Sequence, residues 1–474
     1  MMNRRNFLAA AAAAAFAPAL FVRAAETKRK VVVVGGGLAG LSCAYELRKL
    51  GFEAIVLEGQ GRAGGRVQTL REDLDWGLSA ETGATRIPDT HHMTLDYVRE
   101  FGLTLEPFKG GDLADVVHLR RGNYVTGHGP EPDWPLQLRP EERRLGRGGM
   151  AERYLNGPLK LAKGSEDSLG VPGPILDQDH YTLREYLEKQ GLSRDAIELM
   201  TLGADTSISA ALLLLVELNE QVTREYFHIR GGNDQLPGAL AKQLELGGAI
   251  RYGCRVTSVG QDDSGAWAVM EHAGGHETVR GDYVVSALPF SVARNLFADA
   301  RLSAEKQRVI RELQYFPVDK IFLQMQKQFW KAKGLSGFAN TDLVSERFWA
   351  LGPESPEERG LLLSYVIGEN AAKLDTMDVH SRVQQTITDA EIVFPGAREQ
   401  FEAARVKSWS EDPWQRGGLT SFGPGELNWI PVNARREGRI FFAGEHTSRW
   451  NGWMQGAIES AHRVAKEIRI RSMQ

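Results

Sequence analysis

Val31-Val32-Val33-Val34-Gly35-Gly36-Gly37-Leu38-Ala39-Gly40 is an unbroken β-branched run that passes into a glycine cluster. Helical periodicity follows over residues 38–50, and residues 52–57 again read as a strand, so the folded chain opens with a βαβ unit. Glycine holds the first, third and sixth positions of the cluster. Gly35 suits a tight turn, Gly37 lets backbone N–H groups approach an anion, and Gly40 lets helix and strand pack closely. The helix beginning at Leu38 and Ala39 adds favourable potential for a pyrophosphate. Glu58 ends the second strand, 18 residues after Gly40. A carboxylate there would accept hydrogen bonds from ribose hydroxyls and repel a 2′-phosphate. The combination predicts a dinucleotide site; a glycine-rich turn with no ligand is the alternative.

Further strand signals lie at residues 250–259, 266–272 and 283–288. A last strand and helix are expected at 439–443 and 454–470. The nucleotide fold is therefore expected to be α/β and discontinuous, assembled from the beginning, middle and end of the chain. Between these pieces, residues 113–227 are rich in helix formers, and 292–431 mix strands and helices, with a strand expected over 320–326.

Residues 1–26 carry other signals. Asn3-Arg4-Arg5-Asn6-Phe7-Leu8 is a twin-arginine pattern, followed by an apolar run over 8–17 and small residues up to Ala25. The run is well short of the ~20 apolar residues that span a bilayer. A cleaved twin-arginine leader is expected, with no stable membrane anchor and a periplasmic or secreted destination; an alanine-rich disordered tail is the alternative. The 474 residues exceed one compact core, and the net charge of −4 leaves no electrostatic footprint for nucleic acid. No Cys/His cluster has metal-ligand spacing. The two cysteines, Cys43 and Cys254, read as buried thiols, with a disulfide as the alternative.

NAD and FAD sites share the opening fingerprint, and the next residues separate them. In Arg62-Ala63-Gly64-Gly65-Arg66, two glycines between arginines would bring backbone and Arg66 against the same pyrophosphate. Here the chain resembles the flavin-containing amine oxidase family, in which a strand-end Glu runs into R-x-G-G-R. The family's usual Ala-Arg-Asp after that Glu is replaced by Gly59-Gln60-Gly61. Arg439-Ile440-Phe441-Phe442-Ala443-Gly444-Glu445-His446-Thr447 resembles its closing flavin strand, and Gly452-Trp453-Met454-Gln455-Gly456-Ala457 the start of its last helix.

The resemblance implies a discontinuous Rossmann-like FAD-binding domain of the GR2 type over residues 27–74, 229–291 and 436–474. A mixed α+β substrate domain would span 75–111 and 292–435, with a helical subdomain over 112–228. It implies FAD held by Gly35, Gly37, Leu38, Ala39, Gly40, Glu58, Gly59, Gly65 and Arg66, and by Gly83, Ala84, Thr85 and Arg86. Val256 would hold adenine through its backbone, Gly444 and Glu445 the ribityl or ribose side, and the turn from Gly452 and Trp453 through Met454, Gln455, Gly456 and Ala457 the pyrimidine edge. Attachment is expected to be non-covalent, because Gly417-Gly418-Leu419-Thr420-Ser421-Phe422 lacks the cysteine of covalent members.

Within that family, Thr82-Gly83-Ala84-Thr85-Arg86-Ile87-Pro88 resembles the substrate-edge segment of the L-amino-acid oxidase branch, whose arginine clamps the substrate carboxylate. A structural arginine in an ion pair is the alternative. The resemblance implies that Tyr365 shares the carboxylate, that Gly452 and Trp453 flank the amino group and Cα, and that Leu419 walls the side-chain pocket. Core packing competes for Tyr365 and Leu419. Lys320 matches the lysine that holds a water against flavin N5; a solvated outer face is its other reading. The implied reaction is oxidative deamination by hydride transfer from Cα to N5, with O2 as second substrate, giving a 2-oxo acid, ammonia and hydrogen peroxide. Oxidation or dehydrogenation of amines lacking a carboxylate, amino-acid 2-monooxygenation and an FAD-bound factor without turnover stand beside it. A homodimer is the assembly common in such families. No histidine is assigned a role.

Overall fold

A computed structural model describes residues 28–71, 74, 77–108, 113–127, 129–156, 159, 170–220, 223–352 and 358–474. The twin-arginine stretch lies outside them. Lys30–Val34 is the middle strand of a five-stranded sheet, flanked by Glu53–Leu57 and Tyr283–Ser286, with Ile250–Arg251 and Ile440–Phe442 at the edges. All four pairings are parallel. Residues from three distant parts of the chain thus share one sheet, as the strand signals predict.

Val31 to Val34 are buried on both faces, which is why an unbroken apolar run suits a central parallel strand. Val31 and Val33 pack with Leu41 of helix Leu38–Lys49 and with Ile458 and Val464 of helix Met454–Ser472. Val32 and Val34 face a core that includes the antiparallel meander Arg255–Gln261, Ala266–His272 and Gly275–Gly281. The single strand expected over 250–259 is two. Gly253, at φ 66°, turns the chain between Ile250–Arg251 and the meander.

A seven-stranded sheet forms the second layer, in the order Phe401–Ser408, Val318–Met325, Gly360–Ile367, Arg347–Leu351, Leu335–Thr341, Ala114–Leu119 and Gly122–Thr126. The stretch read as helix-rich from residue 113 therefore opens with a hairpin on this sheet. Arg120 and Arg121 form its two-residue turn at φ 47° and 72°. That left-handed pair suits hairpin twist but lacks the Asn-Gly signal that marks such turns in sequence. Helices do follow, among them Pro140–Ala151, Leu183–Lys189, Arg194–Met200 and Ala210–Glu220. The end of the stretch is a strand again: Tyr226–Ile229 pairs with Ile87–Pro88 and Leu105–Pro107.

Candidate active site

A cavity of about 660 Å³ runs between the two sheets, from the glycine turn and Glu58 to Arg86, Tyr365 and Trp453. At its first end Gly35 takes φ 103°, and the helix begins at Leu38. Glu58 accepts Gly36 N–H at 2.6 Å and Gln60 N–H at 2.7 Å. Burial pushes its carboxyl above the usual range, while those bonds and Arg62 pull the other way. A Cβ on Gly37 would meet nothing nearer than Gly65 Cα at 4.0 Å, so this wall is left open toward the cavity. A Cβ on Gly40 would lie 1.9 Å from Gly35 O; Gly40 serves the close packing of helix on turn and does not line the cavity.

The R-x-G-G-R loop docks on the turn through Gly64 N–H to Gly36 O at 2.9 Å, with Gly64 and Gly65 at φ 107° and 58°. A Cβ on Gly59 would lie 2.3 Å from the Trp414 ring. Glycine in place of the family's usual alanine thus has a partner in this chain, an indole lying over it. Val256 and Cys254 line the same end; Cys254 N–H donates to Glu58 O at 2.9 Å. Both cysteines are free and buried, as the thiol reading has it.

In the middle, Arg66 pairs with Glu445 at 3.0 Å and donates to Gly418 O at 2.8 Å. One nitrogen of the guanidinium expected on a pyrophosphate is thus engaged by the carboxylate that follows the closing strand, while Arg66 still lines the cavity. Glu445 also accepts from Thr420 Oγ1 (2.7 Å), Asn451 (3.1 Å) and Gly452 N–H (3.0 Å). Burial would raise its carboxyl, but Arg66 and these donors hold it below the ordinary carboxylate range. Met454 and Ala457 face the cavity; Gln455 and Gly456 do not. Gln455 turns its side-chain oxygen to Thr94 N–H and Oγ1, both at 3.1 Å, and Gly456 backs onto Trp450 O, where a Cβ would lie at 2.3 Å. Helical periodicity sends these two inward to the packing face.

At the far end, sheet register assembles the side chains. Lys320 lies opposite Tyr365, and Phe348 opposite Ser364, which sets Arg347 beside Tyr365. Lys320 is 2% exposed, so the solvated-face reading fails. Its ammonium donates to Glu81 O (2.9 Å), Gly83 O (2.6 Å) and Thr85 Oγ1, and so pins the segment before Arg86. Burial, with Arg86 nearby, brings its pKa down to about 7.

Arg86 lies over Tyr226 at 4.4 Å, Trp349 at 5.5 Å and Trp453 at 5.6 Å from the ring centres. Among the described residues no hydrogen bond or ion pair engages its guanidinium, so the structural ion pair is not formed. Tyr365 is flanked by Trp349 at 5.0 Å, Arg347 at 5.0 Å and Lys320 at 5.0 Å, and its hydroxyl makes no hydrogen bond to a described residue. Leu419 and Gly452 complete this end, a Cβ on Gly452 falling 2.8 Å from Leu419 Cδ1. His91 meets Trp453 edge-on at 4.9 Å, and burial holds it neutral, with its pKa near 3.

Several cavity residues escape sequence reading. Arg347 and Trp349 sit on a strand whose importance comes only from its pairing with Tyr365's strand. Leu212, Leu213, Val216 and Glu220 come from one face of helix Ala210–Glu220, which reads as plain apolar helix in sequence.

A sequence model of the flavin containing amine oxidoreductase family matches residues 38–469. The chain belongs to that family. An L-amino-acid oxidase of Sistrurus catenatus edwardsii is 28% identical over 466 residues, covering 94% of this chain and 88% of the relative. Among solved structures, wild-type putrescine oxidase bound to putrescine superposes with a TM-score of 0.78 at 20% identity, over 93% of this chain and 99% of that one. Cyclohexylamine oxidase from Brevibacterium oxydans IH-35A gives 0.77 at 20% identity, over 93% and 100%. The fold is that of these flavin enzymes: a Rossmann-like nucleotide domain facing a mixed sheet with helices beside it.

As a member of a flavin-containing family, the chain needs its glycine turn intact. Gly40→Ala forces a Cβ against Gly35 O, an overpacking worth about 1–3 kcal/mol. Lower thermal stability and loss of the flavin absorbance are expected in purified protein; a yellow variant with unchanged Tm would contradict this role.

Proposed function

We propose that this flavoprotein is an FAD-dependent oxidase of L-amino acids, exported through its twin-arginine leader to the periplasm or outside the cell. The observation that carries the reading is the Arg86 guanidinium, bracketed by three aromatic rings and left without a carboxylate beside the open hydroxyl of Tyr365. The cradle fits a dinucleotide. Gly37 leaves room for a phosphate, Glu58 ends the second strand for a ribose, and Val256 lines the same end. Attachment is non-covalent on this reading: Cys254, the one cysteine on the cavity wall among the described residues, sits at the Glu58 end, away from Lys320 and Trp453.

When bound, FAD supplies the two-electron acceptor, and O2 as second substrate carries the electrons off as hydrogen peroxide. The chain's own side chains do the positioning. Arg86 gives the carboxylate a planar two-pronged donor, Tyr365 adds a hydroxyl, and Trp453 confines the amino group in its uncharged form. Gly452 allows Leu419 to close against the last helix, which keeps water from the reacting carbon. Lys320 acts through the segment it pins, holding Gly83 and Thr85 where Arg86 can reach the substrate. Overall, amino acid, O2 and water give a 2-oxo acid, ammonia and peroxide.

The amine reading has its own support, since the solved neighbours include a protein holding putrescine. A peroxide assay across the twenty L-amino acids, their D-forms and simple amines separates the two. Turnover of L-amino acids about tenfold to hundredfold faster, in kcat/KM, than that of the corresponding amines is expected. Amines oxidised faster than any amino acid would overturn the assignment, and an amide product would point to monooxygenation.

A further inference from the structure

Several charged side chains around the cavity already have partners. Arg66 pairs with Glu445, Arg347 pairs with Glu346 at 2.9 Å, Lys320 has three acceptors, and Glu58 holds two backbone N–H groups. Two lining groups at the Arg86 end differ. Arg86 has no acceptor. Glu220 accepts one hydrogen bond, from the Tyr226 hydroxyl at 2.5 Å, and no cation among the described residues pairs with it. One aromatic ring joins the two: Arg86 lies 4.4 Å from the centre of the Tyr226 ring whose hydroxyl reaches Glu220.

Glu220 also ends an apolar wall. Leu212, Val216 and Glu220 recur at four-residue steps on helix Ala210–Glu220, so one helical face lines the cavity with two apolar side chains and then a carboxylate. Asn219 donates to Arg449 O at 3.1 Å and fixes that end of the helix. A ligand complementary to this surface has an anion for Arg86, an aliphatic stretch for Leu212 and Val216, and a cation for Glu220.

We infer that the cavity selects L-amino acids with a basic side chain, and that Glu220 is the residue that recognises the distal cation. The inference rests on the amino-acid reading of Arg86. An extended lysine places Nζ roughly 6 Å from Cα at ordinary bond lengths, so its carboxylate and its ammonium can engage separate partners along one wall. A neutral aliphatic substrate leaves the carboxylate facing its methyl groups, and an acidic one meets it with like charge. Arg347 does not offset this preference, because Glu346 already neutralises it.

Two measurements on the flavin-loaded protein test the inference. The first compares kcat/KM for L-lysine and L-leucine in wild type and Glu220→Gln; glutamine can still accept from Tyr226. The lysine-to-leucine ratio is expected to fall at least tenfold. The second avoids turnover at Cα. 6-Aminohexanoate, which carries the carboxylate and distal ammonium of lysine but no α-amine, should raise Tm more than hexanoate does in wild type, and this excess should vanish in Glu220→Gln. An unchanged lysine-to-leucine ratio together with an equal thermal shift would overturn the role of Glu220 while leaving amino-acid oxidation in place. Cadaverine oxidised in preference to lysine would instead overturn the reading of Arg86 on which the inference stands. Tyr226→Phe frees Glu220 from its one hydrogen bond and should keep the lysine preference; loss of that preference there would place recognition in the tyrosine.

Discussion

Replacing Arg86 with alanine is expected to lower kcat/KM for the best L-amino acid by about tenfold to hundredfold relative to its decarboxylated amine. A charge-assisted hydrogen-bonded pair is worth about 1.5–3 kcal/mol net, and each ~1.4 kcal/mol is a factor of ten. The guanidinium stands among Tyr226, Trp349 and Trp453, whose rings set its direction. Arg86→Lys should recover only part of the loss, since a point charge cannot present the paired donors of a guanidinium. The amine serves as the internal control: it has no carboxylate, so its turnover should gain or hold. Equal losses on both substrates would show that Arg86 supports the fold of the cavity and does not select the acid group.

The second large effect concerns Lys320. Its pKa falls from 10.5 to about 7, chiefly because burial penalises the ammonium. Between those values the unfolded chain binds more protons than the folded one, so this residue makes stability rise with pH across that window. Below about 7 both states are protonated and the full cost of the buried charge is present. Lys320→Met removes the titration and also the ammonium's hydrogen bonds to Glu81 O, Gly83 O and Thr85 Oγ1. The variant should therefore be less stable, and its deficit against wild type should widen as pH rises from 7.5 to 9.5. The widening should approach about 1.4 kcal/mol per pH unit at most. That range keeps clear of Glu81, whose carboxyl is pushed up to about 7 by burial and works in the opposite direction at lower pH. Denaturant unfolding at stepped pH measures it; a pH-independent difference would show that Lys320 stays charged throughout.

The two ends of the cavity were unequally legible in the sequence. The glycine turn, Glu58 and the R-x-G-G-R loop could be placed almost residue by residue, since each does its work through contacts within about thirty positions of chain. Gln455 and Gly456 of the last helix moved from the cavity wall to the packing side, because a motif names residues but helical phase decides which way each one faces. The hairpin at Ala114–Thr126 was hidden by a turn built from two arginines. Arg347, Trp349 and Glu220 were hidden for another reason: their significance comes from neighbours over a hundred residues away in sequence in the case of Arg86 and the Glu220 helix, and from strand register in the case of Tyr365.

Local chemistry in the chain itself therefore determined that a glycine turn forms between strand and helix and where its glycines lie, because a strand, a tight turn and a helix N-terminus are short-range consequences of residue type. Whether Arg86 would be free, whether Lys320 would be buried, and which charges would be left over to meet a substrate were decided only by tertiary structure. Those outcomes depend on which acids and carbonyls the folded sheets bring within hydrogen-bond reach, and no spacing along the chain encodes that distance.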